Sequence, residues 1–263
     1  MTNTNYAKKL IINADDFGWD EDTYKATIDC MEAGSITSAT IMTGRPATDL
    51  ACQYAAKNAH RFSFGLHFNI VDQHKPLSAD PVSLTDRDTF NFRQSGRQRL
   101  HALLWRLNYN QLQNELIAQL NLVKKSGVKI THIDSHGHLH KFPNVILALK
   151  PILYQHGISR VRRPQNLYGK GIKISTKLIN KIATPFFSSL TLTNHFLTIA
   201  SYEDNWFNQL LTLLPNGTTE LAVHPGYMEN WRHKEIQPLL DKNFSTLIMH
   251  NGTELTNYNN YYP

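Results

Sequence analysis

His132-Ile133-Asp134-Ser135-His136-Gly137-His138-Leu139-His140 places four imidazoles and one carboxylate within nine residues. In an extended strand alternate side chains share a face, so His132, Asp134 and His136 point one way and Ile133 and Ser135 the other. A hydrogen-bonded core histidine would explain one such residue, but not this density. Imidazole and carboxylate are the common ligands of divalent metals and the common carriers of protons. The stretch marks a metal or catalytic site.

Three other stretches offer the same chemistry. Asp15-Asp16-Phe17-Gly18 follows the short apolar run Leu10-Ile11-Ile12, and its glycine permits a sharp turn. An N-cap role would absorb Asp20 or Asp22 more readily than this adjacent pair. His67 and Asn69 share one face near the end of Phe62 to Ile70, and His224-Pro225-Gly226 ends the run Thr218 to Val223. Arg162 closes another short apolar run, Ile158 to Arg162.

The elements that must position these residues alternate. Strands are expected at Lys8–Asp15, Ile36–Met42, Phe62–Ile70, the His-rich stretch, Ile158–Arg162, Phe196–Ala200, Thr218–Val223 and Ser245–Met249. Helices are expected from Asp22 to Gly34, over Pro46–Ala59, through Leu112, Leu116, Leu120 and Val123 to Gly127, and over Pro143–Gly157, Glu203–Leu214 and Trp231–Leu240. Two long connections interrupt the pattern, Asp72 to Asn110 and Gln165 to Asn194. The first carries Leu100, Leu103, Leu104 and Leu107 beside Arg97, Arg99 and Arg106, a stripe that could lie on a membrane surface but reads better as a lid helix packed on the core. The tail from Asn257 reads as frayed.

Such alternation predicts a parallel sheet, and the count of seven or eight βα units favours an α/β TIM-like barrel, one domain over 1–263 with long loop insertions. Asp15, Asp16, His67, His136, Arg162 and His224 then fall near strand C-termini on one rim, where such folds gather their chemistry. Arg162, Asn69, Trp19 and His138 are the candidates for substrate binding on that rim. One carboxylate and two imidazoles can hold a divalent ion, a second carboxylate can take a proton from water, and a further imidazole can protonate a leaving group. These parts describe metal-assisted hydrolysis of an amide or ester.

Composition narrows the classes. Apolar residues make up 41% and charged residues 18% of 263, as in ordinary globular proteins. The chain has 27 basic and 21 acidic residues, a net charge of +6 without a block of like charge, so no nucleic-acid partner is expected. Two cysteines imply no disulfide framework, and no apolar run is long enough for an integral membrane segment or signal sequence. A cytoplasmic protein is expected, and a homodimer is compatible with it. Glycine-rich phosphate loops, serine nucleophile elbows and dinucleotide fingerprints are absent.

Asn13-Ala-Asp-Asp-Phe-Gly18, Gly34-Ser-Ile-Thr-Ser38, Gly65-Leu-His-Phe-Asn69, Thr131 to His140 and His224-Pro-Gly226 together resemble the YdjC/ChbG family of carbohydrate deacetylases, in family order up to about Leu240. The resemblance implies a distorted (β/α) barrel that removes N-acetyl groups from sugars such as chitooligosaccharides, with one divalent ion, Mg2+ or Zn2+. It implies Asp16, His67 and His136 as metal ligands, Asp15 as general base and His224 as acid. Tyr24 and Gly44 stand where relatives often carry Asn, Trp19 where Leu is common, and Gly137 interrupts a run often His or Gln. These departures bear on the substrate, which by resemblance is an acetylated sugar or a glycolipid. Two other readings use the same residues. A barrel-type amidohydrolase or phosphoesterase could use His138-Leu139-His140, and a non-catalytic sugar-binding protein could retain the scaffold.

Overall fold

A computed structural model describes residues 7–169, 172–199 and 206–261. Its frame is a parallel sheet of β1 (Lys8–Phe17), β2 (Ser38–Ile41), β3 (Ser63–Phe68), β4 (Ile133–Ser135), β5 (His195–Thr198), β6 (Gly217–Val223) and β7 (Thr253–Leu255). The order is β4-β3-β2-β1-β6-β5. β1 pairs with β6 over Lys8–Ala14, so β7 at Lys8–Leu10 and β2 at Asn13–Phe17 must share its other edge. Parallel bridges Ile133↔Val161 and Arg160↔Thr191 extend the sheet past β4.

The sheet curls into an α/β half-barrel. β4 and β6 lie four strands apart, roughly 19 Å in a flat sheet. Yet Asp134 on β4 and Glu220 on β6 both contact the guanidinium of Arg162, each at 2.7 Å. Alternation along β1 then sorts the two faces. Leu10, Ile12 and Ala14 enter the main apolar core under the helices, whereas Ile11 packs inside with Tyr258 and Tyr261. Asn13 and Asp15 continue the inner face, which is polar.

Helices α1 (Glu21–Glu32), α2 (Thr48–Asn58), α3 (Ser95–Leu103), α4 (Tyr109–Lys125) and α5 (Pro143–Gln155) follow the first strands, and α6 (Ile174–Ala183), α7 (Trp206–Leu213), α8 (Asn230–Ile236) and α9 (Phe244–His250) the later ones. Asp20 caps α1 by accepting from Thr23 N at 2.8 Å, so the chain leaves β1 and enters the helix within three residues. Gly18 at φ +95° makes that passage, and a Cβ there would lie 3.0 Å from Ala51 Cβ.

Several expectations need correction. Ser245–Met249 is not a strand but lies in α9, where Phe244 and Ile248 are buried four residues apart and Met249 is exposed. The terminal strand is β7. The His-rich strand ends at Ser135, because Gly137 and His138 adopt φ +61° and +55° and turn the chain. His132 and Asp134 share the inner face as alternation requires, and His136 stands in the turn above them. Trp231–Leu240 breaks at Pro238 into α8 and a short 3-10 turn. Gln165–Asn194 carries α6. Of the expected strand Phe196–Ala200 and helix Glu203–Leu214, residues 200 and 203–205 lie outside the described residues. The tail through Tyr261 is packed, not frayed: Tyr258 is fully buried and its hydroxyl donates to Glu220 Oε2 at 2.6 Å.

That bond supplies a test of how much the tail contributes. Tyr258→Phe leaves Glu220 Oε2 without its phenol donor and should lower stability by about 1–3 kcal/mol. Urea denaturation measures this directly, and an unchanged midpoint would show that the tail does not serve Glu220.

Candidate functional site

Adjacent residues on a strand face opposite ways, so Asp15 and Asp16 cannot both face inward from a regular β1. The register of β1 against β2 shifts between Ala14 and Phe17, and Asp16 itself adopts φ +60°. This bulge turns the second carboxylate into the cleft beside the first. The expected turn at Phe17-Gly18 therefore begins one residue earlier. A left-handed aspartate costs on the order of 1 kcal/mol or more, so the surrounding contacts must hold it. Arg232 Nη2 does so, donating to Asp16 Oδ2 at 2.8 Å.

The cleft has a volume of about 780 Å³, and Asp15, Asp16, His67, His136 and His224 line it. Asp16 Oδ1 lies 3.3 Å from His67 Nε2 and 2.9 Å from His136 Nδ1, and the two nitrogens are 3.3 Å apart. The other ring nitrogens are engaged behind this vertex. His67 Nδ1 faces Asp134 Oδ1 at 2.7 Å, and His136 Nε2 faces Asp72 Oδ2 at 3.2 Å. If those nitrogens carry the protons, two imidazole lone pairs and a carboxylate oxygen converge on one point. Asp16 Oδ1 is buried and accepts no well-formed hydrogen bond. Among the described residues these three could hold a divalent ion, as could the overlapping set Asp15, His67 and Asp134. The first set fits better, because Asp15 and Asp134 are already taken by Arg162.

The electrostatics favour a cation at the vertex. Burial opposes charge on His67, yet Asp134 and Asp16 raise its pKa to about 10, and Asp16 also raises that of His136. Burial would raise the pKa of Asp16, and the two histidines instead hold it well below the usual carboxylate range. A proton and a metal ion would compete for the same place.

Asp15 stands apart from this vertex. Arg162 grips it with two bonds, Nη1 to Oδ2 at 2.7 Å and Nη2 to Oδ1 at 2.6 Å, and Asn13 Nδ2 donates to Oδ1 at 2.9 Å. Despite burial, Arg162 keeps its pKa far below the ordinary value. Opposite, His224 Nε2 lies 3.9 Å from Asp15 Oδ2. Glu235 Oε2 accepts from His224 N at 2.6 Å and meets its Nδ1 at 3.2 Å. Burial disfavours the imidazolium, but Glu235 and Asp15 lift its pKa to about 8.

The candidates for substrate binding divide. Trp19 and His138 line the cleft, the indole 5.6 Å from the His136 ring between centroids and covered by Arg45 at 3.9 Å. Arg162 does not fit that role: it is fully buried beneath the cleft, bound to Asp15, Asp134 and Glu220. Asn69 is buried too, accepting from Val71 N at 3.0 Å and touching His74, so it shapes the loop rather than the cleft. The His-x-His pair does not converge, since His140 turns to Ser135 Oγ at 2.6 Å. Asp72, Arg232 and Glu235 escaped the sequence reading, because nothing in their local pattern sets them apart. Asp134 was visible in the alternation.

The model of the YdjC-like protein family matches residues 9–250. A carbohydrate deacetylase of Thermoanaerobacter pseudethanolicus is 29% identical over 95% of this chain and 98% of its own. One of Geobacillus stearothermophilus is 26% identical over 96% and 97%. The crystal structure of an Enterococcus faecalis V583 protein, described as a proposed cellobiose-phosphate cleavage protein, superposes with TM-score 0.78 at 22% identity, covering 96% of this chain and 98% of that one.

Removing the guanidinium tests the burial argument without reference to activity. Arg162→Met strands the carboxylates of Asp15, Asp134 and Glu220 in the interior, and about 3–5 kcal/mol of stability should be lost. Chemical denaturation that shows less than about 1 kcal/mol would mean that solvent or protonation relieves the site.

Proposed function

The chain belongs to the YdjC-like family, and from that premise we propose a metal-dependent hydrolase that removes the N-acetyl group of an acetylated sugar. What supports this most is the meeting of three kinds of group on one cleft: the vertex of Asp16, His67 and His136, the carboxylate of Asp15, and the imidazole of His224. Asp16, His67 and His136 would hold the ion. Their mixed nitrogen and oxygen donors suit zinc better than magnesium. When bound, such an ion supplies Lewis acidity, polarising a carbonyl oxygen and making water a stronger acid.

The protein's own groups account for the proton movements. Asp15, held ionised by Arg162, accepts a proton as water oxygen adds to the acetyl carbonyl carbon. His224, held as imidazolium by Glu235 below about pH 8, donates from Nε2 to the sugar nitrogen as the carbon–nitrogen bond breaks. Acetate and the free amine result. Trp19 and His138 offer an aromatic face and an imidazole to the sugar. Acetate release from a panel of N-acetylated sugars, with and without added zinc or magnesium, tests the reading. Metal-independent release, or none from any sugar, would overturn it.

The two aspartates should separate in experiment. Asp15→Asn cannot accept the proton and should lose about 10²–10⁴-fold in kcat while keeping its metal. Asp16→Asn should lose metal first, with partial recovery of activity in excess metal. Elemental analysis of both variants decides, and metal loss in Asp15→Asn alone would reverse the roles.

The alkaline limb of the pH profile should follow His224. Its raised pKa means the acid form is complete well below about pH 8 and is lost as pH rises through that value. Glu235→Gln removes the carboxylate that raises it, so the alkaline limb of kcat/KM should move to lower pH. A limb that stays in place would exclude His224 as the titrating acid.

A further inference from the structure

Helix α6 is amphipathic in the wrong sense for a helix that serves only the core. Its inward face carries Asn180 and Ala183, buried, and half-buried Thr176. Its outward face carries Ile174, Leu178 and Ile182 at 84%, 56% and 58% exposure. These recur every four residues and form one apolar stripe. Lys173, Lys177 and Lys181, each one residue earlier and all exposed, run along one flank of it.

The charge around α6 is one-sided over a much longer stretch. The 68 residues from Ser135 to Tyr202 contain nine Lys or Arg and no Asp or Glu, so the rest of the chain is net acidic. Whatever covers the stripe must therefore tolerate apolar side chains at its centre and supply negative charge at its edge.

We propose that the outer face of α6 docks on an anionic lipid surface. Isoleucine and leucine would enter the acyl boundary while the lysine stems lie along it and place their ammonium groups among the headgroups. A second copy of this chain is a poorer occupant. An isologous contact would bring the three lysines towards their own symmetry mates, with no carboxylate in the stretch to pair them. A nucleic acid would neutralise the lysines but leave the aliphatic stripe wet. No described helix is long and apolar enough to cross a membrane, so the attachment is peripheral. It is also close to the cleft: Asn180 on the inner face lines a small cavity with His138, and His138 lines the main cleft. The proposal does not rest on the deacetylase reading.

Cosedimentation of the full chain with lipid vesicles tests it. The protein should pellet with vesicles of equimolar phosphatidylglycerol and phosphatidylcholine. It should stay in solution with phosphatidylcholine alone or in 1 M salt, where the Debye length falls to about 3 Å. The double variant Leu178→Glu with Ile182→Glu should partition about a hundredfold less, and Lys177→Glu with Lys181→Glu at least about tenfold less. Circular dichroism checks the fold of each, and acetate release from a soluble sugar should stay at the wild-type rate. Equal binding to neutral vesicles, wild-type binding by both variants, or no binding by the wild type would overturn the proposal. So would light scattering that shows a wild-type dimer dissociated by the Leu178 and Ile182 changes.

Discussion

Arg162 is the constraint on which the rest of the structure depends. One guanidinium satisfies Asp15 on β1, Asp134 on β4 and Glu220 on β6 at 2.6–2.7 Å, with none of its own surface exposed. Such a cluster is a poor source of net stability, since desolvation of four charges opposes their attraction. It is a strong source of specificity. Carboxylates on the paired strands β1 and β6 and on the distant strand β4 cannot share one buried cation unless the sheet curls enough to bring β4 round to the other two. The curl and the cluster require each other, and the polar inner face follows from both.

The cluster also divides two neighbouring carboxylates between different tasks. Asp15, on the regular inner face, inherits Arg162 and becomes a fixed anion. Asp16, carried round by the bulge, misses Arg162 and meets His67, His136 and Arg232 instead. Asp134 links the two regions, its Oδ2 in an ion pair with Arg162 Nη1 at 2.7 Å while Oδ1 meets His67 Nδ1. A change at any one of these groups is therefore felt by the others, and single substitutions here should not be additive.

Much of this was legible in sequence because it is periodic. Alternation of strand and helix predicts the parallel sheet, and short apolar runs that end in Asp, His or Arg point to one rim. The rest was not legible for identifiable reasons. Arg162 looks like a rim residue, because sequence places it at a strand end without saying that three carboxylates surround it. Asp72 lies in a long irregular connection, and Arg232 and Glu235 look like ordinary polar helix residues. Ser245–Met249 was too short an apolar run for periodicity to tell strand from helix, and Tyr258 sat in a polar tail with no periodic pattern at all.

The pKa pattern joins the fold to the chemistry proposed for it. A hydrolase at neutral pH needs one group ready to accept a proton and another ready to give one, at the same time and on opposite sides of one bond. Burial works against both charged forms, and here each is maintained by oppositely charged neighbours, of which one contributes most. Arg162 keeps Asp15 ionised, and Glu235 lifts His224 to about 8. The 3.9 Å between His224 Nε2 and Asp15 Oδ2 is longer than a hydrogen bond, so the two do not simply neutralise each other. Opposite charges held in one cleft, each anchored from behind, can both reach one polar group lying beside them. An amide attacked by water meets both: the water gives its proton to Asp15 as its oxygen adds to the carbonyl carbon, and the nitrogen takes one from His224 as it departs.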